Sequence, residues 1–86
     1  MSQDIAVKRQ QRKIAKKIRS RRRDLLLDIK SMAAKLHLSP DEYQRIEDGQ
    51  RQINPRLLNA ICMELRVPIS DIASNDDDYH KVSQPT

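Results

Sequence analysis

The N-terminal third of the chain concentrates side chains that could bind phosphate. Residues 1–27 carry ten basic and two acidic side chains, for a net charge of +8, whereas residues 28–86 carry a net charge of −3. Such a split indicates a nucleic-acid contact surface at the basic end. A solvated basic face on a long helix is the alternative, although like charges four residues apart would weaken that helix. From helix one we predict phosphate contacts by Lys13, Lys16, Lys17 and Arg19.

Few side chains in the sequence are suited to catalysis. The two histidines, His37 and His80, lie in a predicted turn and a predicted tail, and the single cysteine, Cys62, lies in an apolar helical stripe. A small core residue is the favoured interpretation of Cys62. The sequence has no glycine-rich phosphate loop and no paired metal-ligand spacing. We therefore predict that the protein is not an enzyme and has no catalytic residue, no metal site and no cofactor.

Helices must position the candidate binding residues, because one glycine and few strand-like alternations favour an all-α chain. A first helix is predicted from Asp4 to about Arg23, since Lys, Arg, Gln and Ala favour helix there. A fourth helix is predicted from Pro55 to about Arg66, and a short fifth one at residues 69–73. The core must consist of Ile, Leu, Met, Val and Ala, since the chain has no Phe or Trp.

Two short helices joined by a turn are predicted within residues 28–49. Asp28 is the expected N-cap of the first of them. Ser39 is the expected N-cap of the second, and Glu42 completes a capping box with it. Gly49 is a natural terminator for the second helix. Helices of about two turns are not stable alone, so the remaining helices must hold them.

This segment resembles the helix-turn-helix domain of the phage lambda repressor and Cro family, also called the xenobiotic-response-element type. The strongest local match is residues 39–49, where Arg45, Ile46, Glu47 and Gly49 follow in the family's order. A ladder of apolar positions extends the match: Ile53, Leu58, Ile61, Leu65, Val67, Ile69 and Ile72. The resemblance implies an all-α, lambda-repressor-like five-helix domain.

The resemblance also divides the chain into three parts. Residues 1–13 would be a basic N-terminal extension of helix one, residues 14–73 the helix-turn-helix domain, and residues 74–86 a disordered acidic tail. The tail would either be solvated or compete with DNA by docking on the basic first helix.

Double-stranded DNA is the partner that the resemblance implies, with the second motif helix in the major groove. There Arg45 would bond guanine and Gln44 adenine or a phosphate. Asp41 or Glu42 would accept a hydrogen bond from cytosine. Helix capping and interaction with the helix dipole are an equal alternative for Asp41. Further contacts with the DNA backbone are expected from Ser39, Gln50, Arg51 and Asn54.

A structural ion pair between Arg22 and Glu47 is also implied, unless Glu47 is an exposed residue at the helix end. Two positions depart from the family pattern. Ile29 stands where a glutamine commonly reaches a phosphate, and Arg21 stands where a leucine is common. The second departure leaves open a shift of the alignment by one residue.

A small phage- or prophage-type repressor that occupies an operator, as a homodimer, is the expected function. The cytoplasm is the expected compartment, because the sequence has no apolar run of membrane-spanning length and no secretory signal. A helix-turn-helix that binds another protein, as an antitoxin or antirepressor, is an alternative suggested by Asp41 and Glu42, by Ile29 and by the acidic tail. RNA binding through the arginine-rich residues 8–23 is a third interpretation.

Overall fold

Five α-helices make up the part of the chain that the structure, a computed structural model, describes. It describes the backbone of residues 2–73 and the side chains of residues 9–73. The helices are α1 (Ser2–Asp24), α2 (Ile29–Lys35), α3 (Pro40–Glu47), α4 (Pro55–Leu65) and α5 (Ile69–Ala73). This all-helical architecture confirms the predicted fold class. The predicted acidic tail lies outside the described residues.

Polar side chains cap the starts of α2, α3 and α4. The carboxylate of Asp28 accepts a hydrogen bond from the backbone N–H of Ser31 at 2.7 Å. Ser39 and Glu42 form the expected capping box, because each side chain accepts a bond from the other's backbone N–H. Asn54 caps α4. The backbone bonds hold the pKa values of Asp28 and Glu42 below their usual range.

A single apolar core holds these short helices together. Its buried members come from all five helices: Ile18, Met32, Ala33, Tyr43, Ile46, Ile61, Cys62, Leu65 and Ile72. The long helix α1 contacts α3, α4 and α5, and α2 packs against α3. Ile53, from the loop between α3 and α4, is half-buried against the core, as its apolar character in a polar loop predicts.

The first four helices end in the same backbone motif. After each one, a residue with positive φ donates its N–H to the carbonyl three residues earlier, and the next residue donates to the carbonyl five residues earlier. This pair of bonds is the Schellman motif. The residues with positive φ are Leu26, His37, Gly49 and Arg66. Only Gly49 is the residue type that this conformation favours, so the other three residues are strained.

Helix α1 is continuous from Ser2 to Asp24, slightly longer at both ends than predicted. The predicted basic extension, residues 1–13, is therefore part of the same helix from residue 2 onward. Ala15, Ile18 and Arg22 are buried and follow one another at steps of three and four residues. That spacing defines the face of α1 that packs on the domain.

Candidate nucleic-acid interface

Helix α3 has a buried side and an outward side, as the sequence predicts. Tyr43 and Ile46 are fully buried and anchor the helix to the core. Asp41 and Arg45 are exposed, and Gln44 is half-buried. With Glu42, which is also exposed, the outward side therefore presents two carboxylates, one amide and one guanidinium, which are groups able to bond the edges of bases in a major groove.

A buried ion pair fixes α3 against α1. The guanidinium of Arg22 donates to both carboxylate oxygens of Glu47, at 2.6 and 3.0 Å, and also to the backbone oxygen of Leu27 at 2.7 Å. The hydroxyl of Tyr43 donates to the same carboxylate. We call these three side chains the Arg22–Glu47–Tyr43 cluster. The ion pair between Arg22 and Glu47 that the resemblance implied is thus present in the structure.

The cluster perturbs the ionisation of two of its members. Hydrogen bonding to Glu47 raises the pKa of Arg22. Burial, followed by the hydrogen bond to Glu47, raises the pKa of Tyr43 well above its ordinary value. The phenol therefore remains protonated at neutral pH and can donate its hydrogen bond to Glu47.

A second, more exposed set of bonds joins α1 to the C-terminal end of α3. Arg19 Nη2 donates to the backbone oxygen of Glu47 at 3.0 Å and to Asp48 Oδ1 at 3.1 Å. Gln44 Nε2 donates to the same oxygen of Asp48 at 3.1 Å. The guanidinium of Arg19, predicted to meet a phosphate, is therefore also engaged within the protein. Its contact with DNA stays a prediction.

The basic residues of α1 lie on two different faces. Lys16 is exposed and lines a groove with Arg19 and Asp48, at the C-terminal end of α3. Lys17 instead lines a groove with Asp71 and other residues around α5. Lys13, one helical turn before Lys17, is half-buried. The structure thus places Lys16 beside α3 and Lys17 on the α5 side of the helix.

The remaining residues predicted to contact the DNA backbone border α3. Ser39 and Asn54 are exposed, and their side chains cap α3 and α4. Gln50 is exposed, and its N–H donates to the carbonyl of Arg45 in the α3 end motif. Arg51 Nη1 lies 3.9 Å from a carboxylate oxygen of Glu42. Ser39 precedes α3, and the other three residues lie in the segment between α3 and α4. Their contacts with DNA stay predictions.

Gly49, which follows α3, lies against Arg12 of α1. Its φ is +73°, and a Cβ atom built on it would lie 3.2 Å from Cγ and 3.5 Å from Cα of Arg12. A side chain at this position would strain the backbone at its positive φ and would press on the side chain of Arg12, whereas the backbone of α1 lies at an ordinary contact distance. Gly49 therefore provides the positive φ that ends α3, and it also leaves room for the side chain of Arg12 on α1.

Sequence reasoning missed two roles of arginine. The half-buried Arg21 does not replace a core leucine, because its Nε donates to the carbonyl of Leu65 at 3.1 Å and so caps the end of α4. Arg19 similarly binds the carbonyl of Glu47. Long side chains that bond distant carbonyls follow no fixed spacing, so the sequence contains no pattern that reveals them.

Other kinds of site find little support in the described part of the chain. Within it, no group of three or more histidine, cysteine, aspartate or glutamate side chains could hold a metal ion. Cys62 is buried, and this burial raises the pKa of its thiol. No helix among residues 2–73 is long and apolar enough to cross a membrane.

Comparison with known proteins gives the same architecture. Two crystal structures of the clp gene regulator ClgR from Corynebacterium glutamicum superpose well. One has a TM-score of 0.70 and 22% identity, over 73% of this chain and 82% of that chain. The other has a TM-score of 0.71 and 20% identity, over 90% of this chain and 96% of that chain. At such identities the likeness shows the fold.

The family of the chain is shown by a different comparison. No curated protein matches the sequence significantly. The helix-turn-helix family model, however, matches residues 18–72, which is more than half of the chain. This match begins at the buried Ile18 and ends at the buried Ile72, so it includes every buried member of the apolar core cluster. The chain therefore belongs to the helix-turn-helix family, and this membership supports a DNA-binding role in transcription regulation.

Proposed function

We propose that the protein is a sequence-specific DNA-binding repressor of the phage or prophage type. It binds an operator as a homodimer and blocks polymerase by occupying the site. The observation that carries this proposal is the placement of α3, whose Asp41, Gln44 and Arg45 lie on the side away from the core. Helix α3 then enters the major groove, where these side chains read bases.

Rigid support of α3 favours readout of specific bases. A side chain discriminates between bases only if its backbone is held at a fixed distance and angle from them. The Arg22–Glu47–Tyr43 cluster ties the last turn of α3 to α1, and the capping box fixes its first turn. Both ends of this two-turn helix are therefore held by hydrogen bonds.

Positive charge beside α3 supplies the expected contacts with phosphates. Lys16 lies on the face of α1 next to the end of α3, and Gln50, Arg51 and Asn54 follow α3 in the loop. Contacts of this kind set the position and register of a protein on DNA without reading sequence. Two copies of α3 would then occupy half-sites of an inverted repeat about 34–36 Å apart.

The decisive experiment is a selection from random duplex DNA with the purified full chain. The proposal expects an enriched inverted repeat with one half-site for each copy of α3. Arg45→Ala should then relax one base position in each half-site, by about 1–3 kcal/mol. Equal binding of every duplex, or binding of none, would contradict the proposal. Enrichment of single-stranded or structured RNA in a parallel selection would instead favour RNA binding by α1.

A second candidate is a module that binds another protein, as an antitoxin or antirepressor does. Asp41 and Glu42 favour it, because both carboxylates are exposed in the first turn of α3, where DNA phosphates would repel them. Ile29, at the start of α2, also lacks the amide that family members direct at a phosphate. This candidate predicts that removing both charges, with Asp41→Asn and Glu42→Gln, abolishes binding of a basic protein partner.

A further inference from the structure

Asp48 connects a side chain expected to read a base with helix α1. Its Oδ1 accepts one hydrogen bond from Gln44 Nε2 and one from Arg19 Nη2, both at 3.1 Å. We propose that Asp48 is a positioning residue that orients the amide of Gln44 to read adenine. This inference rests on the proposed function, and it gives a role to a residue without an expected DNA contact of its own.

The chemistry of a carboxylate dictates which way the amide of Gln44 faces. An ionised carboxylate only accepts hydrogen bonds, whereas an amide has a donor end and an acceptor end. Only Nε2 of Gln44 can therefore face Asp48, because the reversed amide would place two oxygen atoms against each other. The Oε1 atom and the second N–H of Gln44 remain available for a partner outside the protein.

That remaining pair of groups matches one base. In the major groove adenine presents the N6 amino group as a donor and N7 as an acceptor. The Oε1 atom of Gln44 accepts from N6 while the second N–H donates to N7. The bond to Asp48 uses neither of these groups. The amide thus meets the base in an orientation that the protein has selected in advance, which lowers the entropy lost on binding.

Asp48 is itself held in place by a hydrogen bond from Arg19. Besides its bond to Asp48, Arg19 Nη2 donates to the backbone oxygen of Glu47 at 3.0 Å, and Arg19 Nε lies 3.5 Å from the Glu47 carboxylate. Glu47 itself is buried in the Arg22–Glu47–Tyr43 cluster. The guanidinium also compensates the negative charge of Asp48, which would otherwise repel nearby phosphates.

The test compares variants of Asp48 on the selected operator. Gln44→Ala first identifies the base position that Gln44 reads. At that position the unaltered chain should prefer adenine by about tenfold, as a bidentate contact provides. Asp48→Ala should remove most of this preference while affinity for unrelated duplex stays the same or rises, because a carboxylate is lost. Asp48→Asn keeps an Oδ1 that accepts both bonds, so it should recover most of the preference.

A matched control removes one exposed carboxylate elsewhere. Asp71→Ala, on α5, makes the same change in charge and should leave the preference for adenine unchanged. Arg19→Gln tests the inference by a second route, since it frees Asp48 and should reduce the preference partially.

Two results would overturn the inference while the proposed function stands: an Asp48→Ala variant that keeps the full preference for adenine, or one that loses affinity equally for every duplex. If the unaltered chain enriches no duplex sequence at all, the proposed function fails as well.

Discussion

At the scale of single residues, charge is used in two opposite ways. The buried carboxylate of Glu47 receives the guanidinium of Arg22 and the hydroxyl of Tyr43, and this cluster orders the protein interior. The exposed Arg45 and Lys16 make no such buried contact and face outward. The buried charges stabilise the fold, and the exposed charges are available to a partner. Variants of the buried residues should therefore change the stability of the domain, and variants of the exposed residues should change binding.

Variants of Glu47 should destabilise the domain strongly. Glu47→Ala leaves the guanidinium of Arg22 buried without its counter-charge, so we expect the free energy of unfolding to fall by about 3–5 kcal/mol. Urea denaturation followed by circular dichroism measures the change. The double variant Arg22→Met with Glu47→Leu removes both charges and should lose much less. A loss of under about 1 kcal/mol for Glu47→Ala would show that the pair is dispensable.

At the scale of elements, the helices follow from the sequence more fully than their ends do. Helix propensity predicted α1, and apolar spacing together with the caps Asp28, Ser39 and Asn54 predicted the other four helices. The left-handed residues Leu26 and Arg66 could not be predicted, because neither residue type favours a positive φ. The packing of the helices imposes those conformations, because α1 and α4 must end where the chain changes direction to place the next helix on the core.

A glycine at position 26 should stabilise the protein. Leu26 has a φ of 59° and its side chain is 92% exposed, so it accepts backbone strain and buries almost nothing. The left-handed conformation costs an L-residue about 1–2 kcal/mol, and the greater freedom of glycine in the unfolded chain offsets part of the gain. We expect Leu26→Gly to raise the free energy of unfolding by about 0.5–1 kcal/mol.

The matched control for this change is Leu26→Ala. It removes the same exposed side chain but keeps the Cβ atom, so thermal unfolding should show no comparable gain. Equal stabilisation by alanine and glycine would mean that exposure of the leucine, and not its backbone conformation, accounts for the effect.

At the scale of the whole molecule, one face of α1 packs in the interior, and its other faces form part of the surface. Ala15, Ile18 and Arg22 are buried against the domain, whereas the other basic residues of α1 within residues 9–23 are exposed or half-buried. The sequence predicted one common role for Lys16 and Lys17. The structure separates them, because Lys16 borders α3 and Lys17 borders α5.

Salt dependence should distinguish these two lysines. If α3 occupies the major groove, Lys16 lies near the duplex, so Lys16→Ala should reduce the slope of log affinity against log salt concentration by about 0.9. Lys17→Ala makes the same change in charge on the other side of α1 and should alter the slope much less. Fluorescence anisotropy with an operator duplex at several salt concentrations measures both slopes. Equal changes would indicate that the duplex contacts both sides of α1.

The absence of a side chain at Gly49 affects how the side chain of Arg12 on α1 packs beside α3. A Cβ atom at this position would lie 3.2 Å from Cγ of Arg12, so a side chain here would compete with the stem of a basic residue for the same space. Gly49→Ala would therefore displace the Arg12 side chain by a few tenths of an ångström and leave the backbone of α1 in place. The bare backbone of Gly49 thus makes room for one of the guanidinium groups that α1 carries beside the C-terminal end of α3.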